Sequence, residues 1–217
     1  MDVVIIGAGG HGKVVADVLR AMKAHRVVGF LDADERLAGT TVAGLPVLGH
    51  VSLLPRLGAS RATAKVRGAI VAIGDPRVRA GYADEIVDAG LELATAIHPA
   101  AAVSPNAVVG KNVVIAAGAV VCVEAAIGDS SIVNTGALVD HECVIGKAVH
   151  IAPGAALAGR VRVEDGAFVG LGARVIQCLT IGAGATVGAG ATVIRDVPAG
   201  ATVVGTPARP IRSAGDR

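Results

Sequence analysis

From Ile97 onward an aliphatic residue recurs at every sixth position without a break: Ile97, Val103, Val109, Ile115, Val121, Ile127, Val133, Val139, Ile145, Ile151, Leu157, Val163, Val169, Val175, Ile181, Val187 and Val193. The fourth position after each is small or apolar (Ala101, Ala107, Val113, Ala119, Ala125, Ser131, Ala137, Cys143), so two positions per hexad point inward. Neither the period of a helix nor that of a plain strand produces this pattern. A six-residue period predicts a parallel β-helix, in which each hexad is a short strand plus a corner and three hexads close one triangular coil. Coils stack about 4.8 Å apart, so residues one coil apart in sequence become direct neighbours.

Residues 1–96 follow another rhythm. DVVIIGAGGHGKVVADVLRAM reads as a strand, a glycine turn and an amphipathic helix, and VVGFLDAD as the next strand. AIVAIGDPRVRAGYADEIVDAG repeats the order, and LELATAI leads into the coils. Alternating β and α elements at this spacing predict a small Rossmann-like parallel sheet with helices on its faces. The expected fold class is therefore α/β plus β: an α/β domain over residues 1–96, then a β-helix with a C-terminal cap over 97–217.

Composition narrows the partners. The apolar fraction is 53% while the aromatics are only Phe30, Tyr82 and Phe168, so the core is aliphatic and suits a narrow, regular interior. A formal charge of +2 with interspersed signs provides no basic stripe or aromatic platform for nucleic acid, which points to a small-molecule ligand. Cys122, Cys143 and Cys178 have no CxxC spacing, and a strand signature begins at Asp2, so the cytosol is expected. The stretch from Val175 to Ile194 is uncharged, but its glycines and hexad rhythm argue against membrane insertion.

GAGGHG, Gly7 to Gly12, lies after a strand and before a helix, with Asp32 at the end of the next strand. Such a turn cradles a phosphate with backbone N–H groups at a helix N-terminus, and the carboxylate is placed for a sugar or base hydroxyl. A dinucleotide such as NAD, or a tight turn with no ligand, would carry the same motif. In an open α/β sheet the carboxyl ends of the strands face one crevice, so Gly9, Gly10, His11, Asp32, Gly74 and Asp75 are expected to converge on a substrate. Arg79 has two readings: a contact to a phosphate or carboxylate, or a solvated helix face.

The order GAGGHG, FLDAD, VAIGD, then IHPAAAVSP running into unbroken hexads with VDHECVIG, covers almost the whole chain. It resembles the hexapeptide-repeat family of bacterial sugar N-acetyltransferases that act on nucleotide-linked 4-amino-4,6-dideoxy sugars, relatives of the sialic acid O-acetyltransferases. The resemblance implies a left-handed coil and a nucleotide sugar held by the first domain. It also implies acetyl-CoA as co-substrate on the β-helix, no metal, and a role in cell-surface glycan biosynthesis. A homotrimer with active sites between subunits is expected too, because flat uncharged faces such as Ile181 to Ile194 would leave a monomer with large apolar patches.

VDHEC matches the family's catalytic segment, which implies His141 as general base with Glu142 beside it. His141 lies two residues past Val139, at an outward position, and Gly159 occupies the same position one coil on. That pairing forms a notch with backbone N–H groups where a thioester carbonyl could sit. A surface histidine bonded to Glu142, or one packed between subunits, would fit the same residues. Glu142 is expected to fix the imidazole orientation, although the alternation of strand side chains stands against this and makes Asp140 a surface acid. Asn134 and His150 match family positions that contact the acyl co-substrate; a corner-turn asparagine and a solvated histidine are the plainer readings. In GTPARPI, Arg209 either meets a CoA phosphate or caps the last coil. Leu171 and Ala189 form an outward column suited to a pantetheine arm. Three other readings remain: an O-acetyltransferase acting on sialic acid, a non-enzymatic sugar-nucleotide binding protein, and a zinc hydrase, for which His98, His141 and His150 lack an H-x4-H pair.

Overall fold

The computed structural model describes residues 1–59 and 66–212 and divides into two compact units, Met1–His98 and Pro99–Arg217. In the first, β1 (Asp2–Ile6), β2 (Arg26–Asp32), β3 (Thr41–Val42), β4 (Leu45–His50), β5 (Val66–Val71) and β6 (Glu92–Leu93) form one sheet in the order β3-β4-β2-β1-β5-β6. All neighbours are parallel except β3 and β4. Val3 to Ile6 are wholly buried, the continuous apolar run of a strand covered on both faces.

Two long helices complete this unit. Helix α1 (Gly10–Met22) buries Val15, Ala16, Val18 and Leu19, a stripe at helical spacing. It stops at Lys23, whose left-handed φ of 57° lets its N–H reach the Leu19 carbonyl at 3.2 Å. A short helix, α2 (Leu54–Ala59), follows β4. Helix α3 (Pro76–Asp88) starts where Asp75 accepts from the N–H groups of Arg77 and Val78 and Pro76 takes the first turn.

The second unit is the β-helix. Two-residue strands pair in parallel with those one coil on, as in Val120↔Leu138, Leu138↔Ala156 and Ala156↔Arg174. Three faces result: one runs through Ile132–Val133 and His150–Ile151, the second through Leu138–Val139 and Ala156–Leu157, and the third through Val144–Ile145 and Arg162–Val163. The sixth-position aliphatics from Ile115 to Val193 are at most 3% exposed, and the small residues between them, such as Ala125, Ala137, Cys143 and Ala155, are fully buried. A hairpin of Thr202–Val204 with Arg209–Arg212 closes the last coil. Among the described residues no helix is long and apolar enough to cross a membrane.

Helix α1 packs so closely on the turn after β1 that a Cβ at Gly12 would overlap the Gly7 carbonyl. Gly12→Ala must therefore push the helix off the sheet, and overpacking of this kind costs about 1–3 kcal/mol. Urea denaturation should show a loss of that size, whereas Gly10→Ala, with open space around its Cβ, should lose far less.

Candidate active site

His141 and Glu142 occupy a corner of the coil, between the strands Leu138–Val139 and Val144–Ile145. The alternation argument against Glu142 fails there, because Glu142 takes a left-handed φ of 57° instead of strand geometry. The turn swings its carboxylate round, and His141 Nδ1 lies 2.9 Å from Glu142 Oε2. With Nδ1–H donating to the carboxylate, Nε2 carries the free lone pair. Asp140 is not a plain surface acid: it is half-buried, and its Oδ1 accepts the His141 N–H at 2.7 Å, fixing the start of the corner.

Gly159 lies directly beside this imidazole. A Cβ there would overlap His141 Nε2 and Cε1, so the ring occupies the space a side chain would need. The Arg160 N–H holds the His141 carbonyl at 2.9 Å, locking the two coils in register. The Gly159 N–H has no acceptor within hydrogen-bond distance among the described residues, whereas the equivalent amide of His141 is taken by Asp140. An unpaired amide next to a basic imidazole nitrogen is an arrangement able to receive a developing oxyanion.

Asn134 and His150 meet at a different corner. Asn134 Oδ1 accepts the Thr135 N–H at 2.8 Å, which turns its amide nitrogen towards His150 Nε2 at 3.2 Å. His150 is half-buried, edge-on to Phe168 with ring centroids 5.3 Å apart, so it is not the solvated histidine of the plainer reading. Leu171, 58% exposed, and Ala189 stand farther along this corner, with the Gly190 N–H on the Leu171 carbonyl at 2.8 Å. The structure thus groups His141, Glu142 and Gly159 at one corner, and Asn134, Leu171 and Ala189 along another with His150 on the strand face that leads into it.

A cavity of about 280 Å³ at the closing hairpin is lined by Ile194, Arg195, Pro198, Val203, Ala208 and Arg209, among others. Arg209 is exposed and donates to the Ala208 carbonyl at 2.9 Å. Arg195 brings a second cation to the cavity. It was missed in the sequence because it lies within the repeat, in no motif.

In the first unit, Gly9, Gly10, His11, Asp32 and Gly74 line one crevice of about 350 Å³ together with Gly7, Ala33, Val51, Ala72 and Ile73. Asp32 Oδ2 accepts the Ala8 N–H at 2.7 Å and Oδ1 the Asp34 N–H at 2.9 Å, so the carboxylate braces the glycine turn. Asp75 does not join them. Its Oδ1 accepts from Arg77 and Val78, and it caps α3. Arg79 is fully buried, not a solvated face. Its NH1 donates to the carbonyls of Ile73 at 2.8 Å and Gly74 at 2.7 Å, which shapes one wall of the crevice.

Comparison with known proteins places these features among relatives. A profile for the PglD N-terminal domain matches residues 2–86. The chain is 44% identical to GDP-perosamine N-acetyltransferase from Caulobacter crescentus, a structure of whose H141A mutant holds CoA and GDP-perosamine; the match covers 98% of each chain with a TM-score of 0.92. It is 40% identical to the acetyltransferase domain of PglB from Neisseria gonorrhoeae in complex with acetyl coenzyme A, over 97% of this chain and 98% of that one, with a TM-score of 0.88. WeeI from Acinetobacter baumannii is 30% identical, covering 97% of this chain and all of its own, with a TM-score of 0.80. No curated protein matches the chain.

Burial, and secondarily the Arg79 charge, pull the His11 pKa down from 6.5 to about 4. Between these values the unfolded chain binds a proton that the folded chain refuses. The resulting stability is therefore complete above about pH 6.5 and declines as the pH falls towards 4. Urea denaturation at pH 7 and pH 4.5 should show the wild type losing about 2 kcal/mol more than His11→Gln, which lacks the titration. Equal losses would contradict this burial.

Proposed function

The chain belongs to the family of PglD-like nucleotide-sugar N-acetyltransferases, and on that premise we propose how its own residues carry the reaction. It is an acetyl-CoA-dependent enzyme that acetylates the amine of a nucleotide-linked amino sugar, and the O-acetyl, hydrase and binding-protein readings fall away. The acceptor proposed is a GDP-linked 4-amino-4,6-dideoxy sugar resembling GDP-perosamine, used for glycan biosynthesis in the cytosol. The observation that carries the mechanism is the His141–Glu142 pair seated on Gly159.

The sugar amine attacks the thioester carbonyl of acetyl-CoA and forms a carbon–nitrogen bond as the carbonyl electron pair moves to oxygen. His141 Nε2 removes the proton from the amine, and Glu142 holds the ring in the productive tautomer and stabilises its charged form. The Gly159 N–H receives the oxyanion. Collapse expels the CoA sulfur, which takes the proton back from His141. Asn134 and His150 contact the thioester end of CoA, Leu171 and Ala189 flank its pantetheine arm, and Arg209 meets a phosphate. The GAGGHG crevice, with Asp32, holds the nucleotide.

His141 and Asn134 sit on different corners of one triangular coil, so a site that uses both takes them from two copies of the chain. That is the basis for a homotrimer with shared active sites, an arrangement that also covers the outward Val120, Leu138 and Ala156.

A general base contributes about 10²- to 10⁴-fold, but an amine already deprotonated escapes part of this. His141→Ala is expected to lower kcat about 10- to 10³-fold, most at low pH where more of the amine is protonated. Unchanged kcat and KM from pH 6 to 9 would remove His141 from the chemistry.

Mixing decides the shared site. His141→Ala and Asn134→Ala should each be impaired alone, and co-refolded mixtures should exceed the activity of either from interfaces that unite an intact His141 with an intact Asn134. Mixed assemblies no more active than the single variants would confine the site to one chain.

A further inference from the structure

The corner that carries His141 departs from its neighbour in a way the reaction so far leaves unused. Along the Asn134 corner, every residue that turns the chain with positive φ is a glycine: Gly118, Gly136, Gly154, Gly172 and Gly190. Along the His141 corner the same position holds Glu124, Glu142, Arg160 and Cys178, with φ between 57° and 61°. L side chains disfavour this conformation, yet the third corner also holds Asn112, Ser130 and Ala148 in it, so what singles out the His141 corner is the charged side chains it carries there. Glu142 has its reason in the bond to His141.

Arg160 is the next residue in that column. Its amide donates to the His141 carbonyl at 2.9 Å, which anchors its backbone one coil, about 4.8 Å, from the dyad. Its side chain is exposed, and among the described residues no ion pair joins it to Glu142, whose carboxylate faces the imidazole. The backbone therefore roots a solvent-facing arginine one coil from His141.

We propose that Arg160 binds the diphosphate of the acceptor nucleotide sugar while the sugar's amine is at His141. The proposal rests on His141 being the base. In a nucleotide-linked 4-amino sugar the diphosphate leaves C1, across one pyranose ring from the amine at C4. An amine held at Nε2 thus places the sugar-proximal phosphate one ring-width away, within the span of an arginine side chain rooted on the adjacent coil. The CoA diphosphate is separated from the thioester by the whole pantetheine arm and cannot occupy this place during transfer. The guanidinium fork matches a pair of phosphate oxygens, so it fixes the ring's direction as well as its charge.

The strain provides its own control. Arg160→Gly removes the charge and relaxes the turn, whereas Arg160→Gln removes the charge and keeps the strain. Assayed with GDP-perosamine, both variants should raise the sugar-nucleotide KM about 10- to 100-fold, the range of a charge-assisted hydrogen bond. The acetyl-CoA KM should not change, and Arg160→Lys should recover part of the loss. The methyl glycoside of perosamine, which lacks the diphosphate, should show the same kcat/KM with wild type and Arg160→Gly. The melting temperature of Arg160→Gly should be no lower than that of the wild type, so a merely structural role would move stability and leave this KM alone. An unchanged GDP-perosamine KM in both variants, or a rise in the acetyl-CoA KM instead, overturns the assignment. If His141→Ala still lowers kcat in that case, only Arg160 is misplaced; if it leaves kcat and KM unchanged, the base assignment has failed as well.

Discussion

Hydrogen bonding from each coil to the next governs the whole β-helix. Strand amides donate forward, Leu138 to the Ala155 carbonyl and Asp140 to that of Leu157, while corner amides donate backward, Arg160 to His141 and Cys178 to Gly159. With donors committed in both directions, one coil cannot slip against another without breaking a full set of bonds. A slip of one residue would also turn the inward Ile and Val positions out to water. The register therefore dictates which side chains are stacked, and this gives Gly159 its identity. The His141 ring lies where a Cβ at 159 would stand, so glycine there is a consequence of the histidine one coil earlier.

The same ladder explains what the sequence made legible. A core that repeats identically must be filled by residues that stack on themselves, so the aliphatic hexad spelled out the second unit from Ile97 to Val193. The glycine turn likewise announced a strand-to-helix crevice, and Gly9, Gly10, His11, Asp32 and Gly74 do converge. What stayed hidden depended on the exact turn or on burial. Glu142 was read with strand alternation, although its left-handed φ decides where the carboxylate points. Asp75 was counted with the crevice because it follows Gly74, but the first turn of α3 competes for the same oxygen and wins. Arg79 read as ambiguous because composition says that arginine is usually exposed; two strand-end carbonyls aimed inward make it an exception.

Corners differ in how much strain they carry: two of the three hold non-glycine residues in the left-handed region, Glu124, Glu142, Arg160 and Cys178 at one and Asn112, Ser130 and Ala148 at another. Each non-glycine residue in the left-handed region costs roughly 1–2 kcal/mol, so Glu124, Glu142, Arg160 and Cys178 together weaken the unit by several kcal/mol relative to an all-glycine corner. The neighbouring corner, built on glycine, escapes this. A β-helix can tolerate the expense because its stability accumulates over many coils, each contributing buried aliphatics and interstrand bonds. Long regular stacks thus permit a local departure from the best turn residue, and side chains at that departure project away from the coil instead of along its faces.

The first unit reaches its electrostatics by burial instead of repetition. Burial lowers the pKa of Arg79 to about 10 against the opposing pull of the Asp75 carboxylate, which leaves it charged at neutral pH, and its NH1 donates to the carbonyls of Ile73 and Gly74. His11, nearby, is held neutral by the same burial and by the arginine itself. Asp32 adds a negative charge, but both of its oxygens receive backbone N–H groups, which disperse it. A crevice with a cation behind it, backbone amides at its mouth and a neutral imidazole beside them suits a polar ligand such as a nucleotide. Because Arg79 is bonded to the backbone of the crevice wall, replacing it would change the shape of that wall together with its potential, so charge and geometry there cannot be varied independently.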